Sequence, residues 1–295
     1  MREFIILTDS CSDLELNDRQ KYGIEYVKMH FSSNGKEYVA DLDWSDISFK
    51  DFYDEMRKGN RFITAQVNFI EYKTTFEQFL KEGKDVLYIG CSSALSSSVK
   101  ASCVAREEVL KEFPLGKIIC IDSLMSCMGL GLLCITASKF RAQGKSIDEI
   151  ANWIEENKLK VHQEATVEKL TWLKQAGRVS AASAFFGGLL NVKPIIVSDE
   201  NGANVAIEKV KGRKVSMARI AQRFAERVEN VDYQKLFIVH GDCEEDAKVL
   251  VDEVKKVLPE GLKELEIEVR KLGPIIGATC GPGTLGLYYF GNGKY

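Results

Sequence analysis

Short apolar runs and helical stripes take turns along the first half of the chain. Phe4-Ile-Ile-Leu7 is a continuous apolar run ending in polar Thr8-Asp9-Ser10, the pattern of a buried strand that delivers a polar loop at its C-terminal end. Residues 24–31 read as a second strand. Phe49, Phe52, Tyr53 and Met56 fall at helical spacing, with Ser48 as N-cap and Gly59 as stop. Asn68 and Glu71 have the spacing of a capping box for a helix that ends near Gly83. Residues 86–89 and 117–121 predict strands, each followed by a helix, over about 96–113 and 126–142. Ser146 and Glu149 open one more helix, to about Asn157. Strands alternating with helices across short polar connections predict a mostly parallel α/β sheet.

The rhythm changes after about residue 160. Residues 161–167 read as a strand, and 194–197 with 205–210 read as a hairpin turning through Asp199-Glu-Asn-Gly202. A helix near 214–229, a strand at 236–240, a helix at 244–257, a strand at 265–269 and an apolar tail follow. In the tail, 272–290, Gly281-Pro282-Gly283 separates two runs that read as strands. Pro cannot donate to a ladder and Gly accepts φ > 0, so the backbone must turn sharply there. The expected fold class is α/β with two α/β domains. Residues 1–159 would form the N-terminal one, a mostly parallel sheet with flanking helices. Residues 160–295 would form the C-terminal one, a mixed sheet with helices.

The 295 residues are ample for two cores. Lys and Arg total 40 against 43 Asp and Glu, so there is no basic excess to track phosphates, and nucleic acid is not an expected partner. Eight scattered cysteines without a C-x-x-C pair read as reduced thiols in the cytoplasm. Glu3, Asp9 and Asp13 break up the N-terminus, so no signal peptide is expected. The longest uncharged run, 123–138, is 16 residues. That is short of the ~20 a spanning helix needs, so it predicts a buried helix and no integral membrane segment.

Nucleotide and catalytic signatures are missing. There is no Walker-type loop, Gly129 and Gly131 do not extend to G-x-G-x-x-G, and there is no G-x-S-x-G elbow. His30, His162 and His240 lack ligand spacing, so neither a metal nor a cofactor is expected. Hydroxyl-rich strand ends are present instead. Ser92-Ser-Ala-Leu-Ser-Ser-Ser98 supplies several hydroxyls at a helix start, where free N–H groups favour an anion and a single hydroxyl would suffice as a cap. Thr8-Asp9-Ser10, Thr64-Ala65-Gln66 and Asp122-Ser123 also lie near strand ends; each taken alone reads first as a cap or a solvated turn. Arg178 follows a helical pattern and a Gly177 stop. It is either an exposed arginine or a bidentate fork for a carboxylate. His240 reads as a structural hydrogen-bonder. Phe185, Phe186, Leu189, Leu190, Met125 and Met128 fit either an ordinary core or a pocket for an apolar tail. With few acid/base partners nearby, the set describes an anion cradle better than a reaction centre, and no catalytic residue is assigned.

The ordered set Thr8-Asp9-Ser10 with Asp13-Leu14, Thr64-x-Gln66, Ser92-Ser-x-Leu-Ser96, Asp122-Ser123, Leu173 with Gly177-Arg178-Val-Ser180, Asn191-x-Lys193-Pro194 and Gly281-Pro-Gly283 resembles the DegV family over essentially the whole chain. The resemblance implies two α/β domains with a long-chain fatty acid between them. Its carboxyl would meet hydroxyls of the T-x-Q and S-S-x-L-S segments. It also implies a partner, because several members are the binding subunit of a bacterial fatty acid kinase and present the carboxylate to a separate ATP-dependent subunit. By this likeness Thr64 and Ser93 are carboxylate contacts, Ser92 and Ser96 share their segment, Arg178 lies near the carboxyl, and Gly281 belongs to the crevice. Thr279 stands where the family often has His. A threonine keeps a hydrogen-bond donor but not a cationic or proton-shuttling imidazole. Two alternatives stay open: acyl or phosphoryl transfer with Ser93 or Cys280 as nucleophile, and binding of another small anion.

Overall fold

The structure, a computed structural model, describes residues 2–180 and 191–293. The candidates Phe185, Phe186, Leu189 and Leu190 lie outside the described residues.

In chain order the first half comprises β1 (Phe4–Asp9), α1 (Leu16–Tyr22), β2 (Ile24–Val27), β3 (His30–Ser33), β4 (Lys36–Val39) and α2 (Phe49–Arg57). These are followed by β5 (Ile63–Ala65), α3 (Phe69–Lys81), β6 (Asp85–Gly90), α4 (Ser98–Glu112), β7 (Ile118–Asp122), α5 (Cys127–Ala142) and α6 (Ile147–Asn157). Four strands form a wholly parallel sheet in the order β2-β1-β6-β7. Ser48 caps α2, and Asn68 and Ser146 form complete capping boxes with Glu71 and Glu149. The single strand expected over 24–31 is two. At Met29 the backbone N–H donates to the Ser10 hydroxyl at 2.9 Å, and the chain leaves the parallel sheet. It enters a small antiparallel sheet, β4-β3-β5, which puts Thr64 opposite Phe31.

The second half comprises β8 (Val161–Thr166), α7 (Leu170–Ala176), β9 (Val179–Ser180), β10 (Val192–Ser198), β11 (Asn204–Lys211), α8 (Arg213–Arg227) and β12 (Leu236–His240). After these come α9 (Glu244–Val257), β13 (Ile267–Lys271), α10 (Pro274–Cys280) and β14 (Leu285–Phe290). A mixed seven-stranded sheet runs β13-β12-β14-β8-β10-β11-β9. The hairpin expected around Gly202 is the antiparallel pair β10–β11. The first run of the tail is a correction: 274–280 is helical, not extended. Pro274 sits in the first turn, where its missing N–H and fixed φ cost nothing, and Ile275 and Ala278 are buried one turn apart.

The uncharged run supplies residues 127–138 of α5, all buried, and the helix continues through half-buried Lys139 and Arg141 to Ala142. It contacts β1 and β6 on one side and β8 and β14 on the other. One buried cluster accordingly takes side chains from both halves, from Phe4 to Phe290. No helix among the described residues is long and apolar enough to cross a membrane.

Candidate functional site

Parallel strands present their C-terminal ends together, and loops leaving them line crevices. At the ends of β1 and β6 the organising group is Asp9. Its carboxylate is fully buried and accepts the N–H groups of Cys11 and Cys91 at 2.9 Å each and the Tyr88 hydroxyl at 2.8 Å. One side chain thereby ties the loop after β1 to the loop after β6. Burial pushes the Asp9 carboxyl upward, opposed by those same hydrogen bonds. Asp122, at the end of β7, does similar work: it accepts the N–H of Ser93 at 3.2 Å and of Leu124 at 3.0 Å. Ser10 donates to the Ala40 carbonyl. The polar strand ends Asp9, Ser10 and Asp122 thus hold loops in place.

The loops surround a cavity of about 360 Å³. Thr64, Gln66, Ser93, Ser96 and Ser97 give it a hydroxyl and amide wall, while Met29, Leu95, Ile275 and Ile276 give it an apolar one. Ser97 is the N-cap of α4 but makes no side-chain cap bond. Thr279, on α10, lines the cavity, with its hydroxyl donating to the Ile275 carbonyl at 3.2 Å. Arg178 stands at the exposed rim, its guanidinium donating to the carbonyls of Ala176 at 2.6 Å and Leu95 at 3.4 Å. Thr64, Arg178 and Thr279 also line an adjoining cavity of about 110 Å³, together with Trp172. On the inner side, Ser126, Asn204, Ile276 and Cys280 connect the main cavity to a slot of about 30 Å³, lined by Val167, Leu173, Ile196 and Val239 among others.

Of the seven residues expected to bind a ligand, five line this cavity: Thr64, Ser93, Ser96, Arg178 and Thr279. Two do not. The Ser92 hydroxyl is buried and donates to the Gly202 carbonyl at 2.8 Å, because Ser92 and Ser93 face opposite sides of the loop. Gly281 takes φ +82°, and Trp172 packs so closely that an added Cβ would lie 2.3 Å from its ring. Cys11, Met29, Cys91, Ser126, Asn204 and Ile275, not expected from the sequence, also line the cavity. The polar strand ends pointed to this region, but nothing local marks Met29 or Asn204.

Chemically the cavity is a neutral cradle with one permanently charged side chain at its rim. Burial raises the thiol of Cys280 to about 12, and the thiols of Cys11 and Cys91 are also raised. Thiols that keep their protons are poor nucleophiles. His240 packs its ring against Phe49 and accepts the Cys243 N–H, away from the cavity. Among the described residues no three His, Cys, Asp or Glu side chains cluster as a metal site.

Comparison with known proteins gives a consistent picture. A family model described as "Uncharacterised protein, DegV family" matches residues 3–292. A DegV domain-containing protein of Clostridium perfringens is 37% identical over 100% of this chain and 99% of its own. Among solved structures, a DegV family protein from Thermus thermophilus described as binding fatty acid is 27% identical. Its TM-score is 0.84, over 99% of this chain and 100% of its own. DegV of Bacillus subtilis, described as a fatty acid binding protein, is 25% identical with a TM-score of 0.83, over 99% and 100%.

Proposed function

The chain belongs to the DegV family, and from that premise we propose that it binds a long-chain fatty acid in the 360 Å³ cavity. The observation that carries this reading is the continuity of two chemistries. A wall of hydroxyls passes, through Ile276 and Cys280, into a slot lined mainly by aliphatic side chains. A carboxyl needs the first and an acyl chain the second. Burying the chain is worth about 0.8 kcal/mol per methylene before ordering costs. A desolvated carboxyl must be hydrogen-bonded, and neutral hydroxyls can serve either of its protonation states. The Thermus and Bacillus relatives described as binding fatty acids support the assignment.

In this reading Thr64 and Ser93 hold the carboxyl, with Ser96 and Thr279 beside them and Arg178 at the mouth. The acyl chain runs along Ile276 into the slot, which at about 30 Å³ must open as the chain enters. Residues 1–159 and 160–295 act as two domains with the lipid between them. The protein carries out no chemistry of its own. It works in the cytoplasm and presents the carboxyl at the Arg178 rim to a separate ATP-dependent kinase subunit.

Denaturing extraction of the purified protein followed by mass spectrometry tests the reading. A stoichiometric long-chain acid is expected; a protein empty of lipid, and showing no fatty-acid affinity by calorimetry, overturns it. Retained phosphorylation of bound fatty acid on adding a kinase subunit and ATP would establish the partnership.

A further inference from the structure

The fatty-acid reading leaves one polar group on the acyl path unexplained. Ser126 lines both the hydroxyl-walled cavity and the inner slot, at the passage between them. It is only 4% exposed. Ser126 is the N-cap residue of α5, yet its side chain makes no cap bond, and its hydroxyl bonds to no other described residue. The other two hydroxyls of the slot are engaged: Thr284 donates to the Gly281 carbonyl at 2.7 Å, and Tyr288 donates to the Gln163 side-chain carbonyl at 3.2 Å. Ser126 is also held in place. The Met125 carbonyl accepts the Ser92 N–H at 2.8 Å and the Leu124 carbonyl accepts the Ser198 hydroxyl at 3.1 Å, so both halves grip the loop that carries it. Asn204 is a second polar side chain at the same passage, oriented by Gln163, whose amide donates to its Oδ1 at 3.0 Å.

A plain polymethylene chain passing Ser126 strips water from this hydroxyl and returns no hydrogen bond. A buried hydroxyl left unpaired is costly, and a partner on the ligand removes that cost. A site arranged to pair with a ligand hydroxyl therefore rejects the analogue that lacks it. We propose that the preferred ligand is a hydroxy fatty acid, whose hydroxyl, partway along the chain, meets Ser126. This rests on the fatty-acid reading and names the class of acid within it. Two hydroxyls suit each other because each can both donate and accept. On either side of that point the chain meets aliphatic walls, Leu95 and Ile275 toward the cavity and Val167, Leu173 and Ile196 in the slot. The described lining of the slot holds no Asp, Glu, Lys or Arg, so a charged substituent would be buried without a counter-ion, and a neutral one fits.

The test is calorimetry of the delipidated full-length protein with stearic acid and with hydroxystearic acids carrying the hydroxyl at successive positions along the chain. One position, or two adjacent ones, should bind about fivefold or more tighter than stearic acid, and the remaining isomers should bind more weakly than stearic acid. In Ser126→Ala the order should reverse, because the favoured isomer then buries a hydroxyl without its partner while the plain chain meets a methyl group. The positional series in the unsubstituted protein stands even if that variant does not fold. Stearic acid binding as tightly as every isomer, as a water kept on Ser126 beside a plain chain would give, overturns the proposal and leaves the fatty-acid reading intact. A preference that survives Ser126→Ala also overturns it. Binding of neither stearic acid nor any isomer overturns both.

Discussion

The Ser92 hydroxyl donates to the Gly202 carbonyl across 2.8 Å, joining the loop after β6 to the hairpin turn of the second sheet. The same oxygen accepts the Ala94 N–H at 3.2 Å. A buried hydroxyl in that position is a clasp between the halves, while its neighbour Ser93 faces the cavity. Removing the clasp leaves a buried carbonyl and a backbone N–H without that partner, so Ser92→Ala should cost about 1–3 kcal/mol in chemical unfolding. Ser93→Ala should be close to neutral in the same measurement and weaken fatty-acid binding by calorimetry. If Ser92→Ala weakens binding as much as Ser93→Ala without loss of stability, the division of roles between them is wrong.

Asp13 should make stability depend on pH. Its carboxyl is buried, and the Cys127 thiol and Gly273 amide approach it without satisfying it by hydrogen-bond geometry. Desolvation raises it from the ordinary 3.8 to about 7. The folded state therefore binds this proton more tightly than the unfolded one. The contribution is fully present below about pH 4 and is lost as pH rises through about 7, an effect of up to about 4 kcal/mol. Asp13→Asn removes the titration. Urea unfolding from pH 4.5 to 8 should show the variant gaining on the unsubstituted protein as pH rises, and parallel curves would refute the assignment.

Local signals and long-range ones differed sharply in how well the sequence disclosed them. Ser48, Asn68 and Ser146 marked helix starts because a cap bonds to backbone only three residues on, so both partners lie in one short window. The parallel sheet was legible for the same reason: β1 and β6 are continuous apolar runs. Ser92 and Ser93 were indistinguishable, because which of two neighbouring serines faces inward is decided by Gly202, 110 residues away. The run 272–280 is too short for periodicity to separate helix from strand. Its best clue, Gly273 followed by Pro274, is an N-terminal helix signature. Met29 sat in an apparent strand, and its place on the cavity wall follows from the chain changing sheets there.

Arg223 and Glu164 form a buried ion pair, with an Nε to Oε2 distance of 2.7 Å and side-chain exposures of 5% and 0%. Arg223 also reaches the partly exposed Glu208 at 2.8 Å. Arg223→Met would take the 2.7 Å Nε partner from the buried Glu164 carboxyl, a loss of about 3–5 kcal/mol. The double substitution Arg223→Met with Glu164→Gln should recover part of that loss. Both belong in a double-mutant cycle read by denaturant midpoint, and additive effects would show that the pair is not coupled.

Gly281 has a packing role that its place beside the cavity concealed. At φ +82° a side chain is strained, and an ideal Cβ would sit 2.3 Å from the Trp172 ring. Gly281→Ala should cost at least about 1 kcal/mol and displace Trp172, which lines the adjoining cavity. The indole then shifts its emission. With three tryptophans in the chain, the change is assigned by repeating the measurement with Trp172→Phe. An unshifted spectrum with unchanged stability would mean the ring yields without consequence.

Ile276 lines both the hydroxyl-walled cavity and the inner slot, so an acyl chain passing from one to the other must cross it. In the unsubstituted protein, affinity for saturated acids should rise by up to about fourfold per added carbon, the equivalent of about 0.8 kcal/mol per methylene. Ile276→Trp fills the passage. Short acids, whose chains end before it, should bind both proteins alike, because the carboxyl contacts proposed at Thr64 and Ser93 are untouched. Beyond that length the gain per carbon should stop in the variant and continue in the unsubstituted protein. Ile276→Val keeps the passage open and should leave the slope intact, which separates blockage from general damage to the site. Calorimetry over a homologous series from eight to eighteen carbons reads the slope directly. A slope that survives Ile276→Trp would mean that the tail leaves the cavity by another route and that the slot is ordinary core.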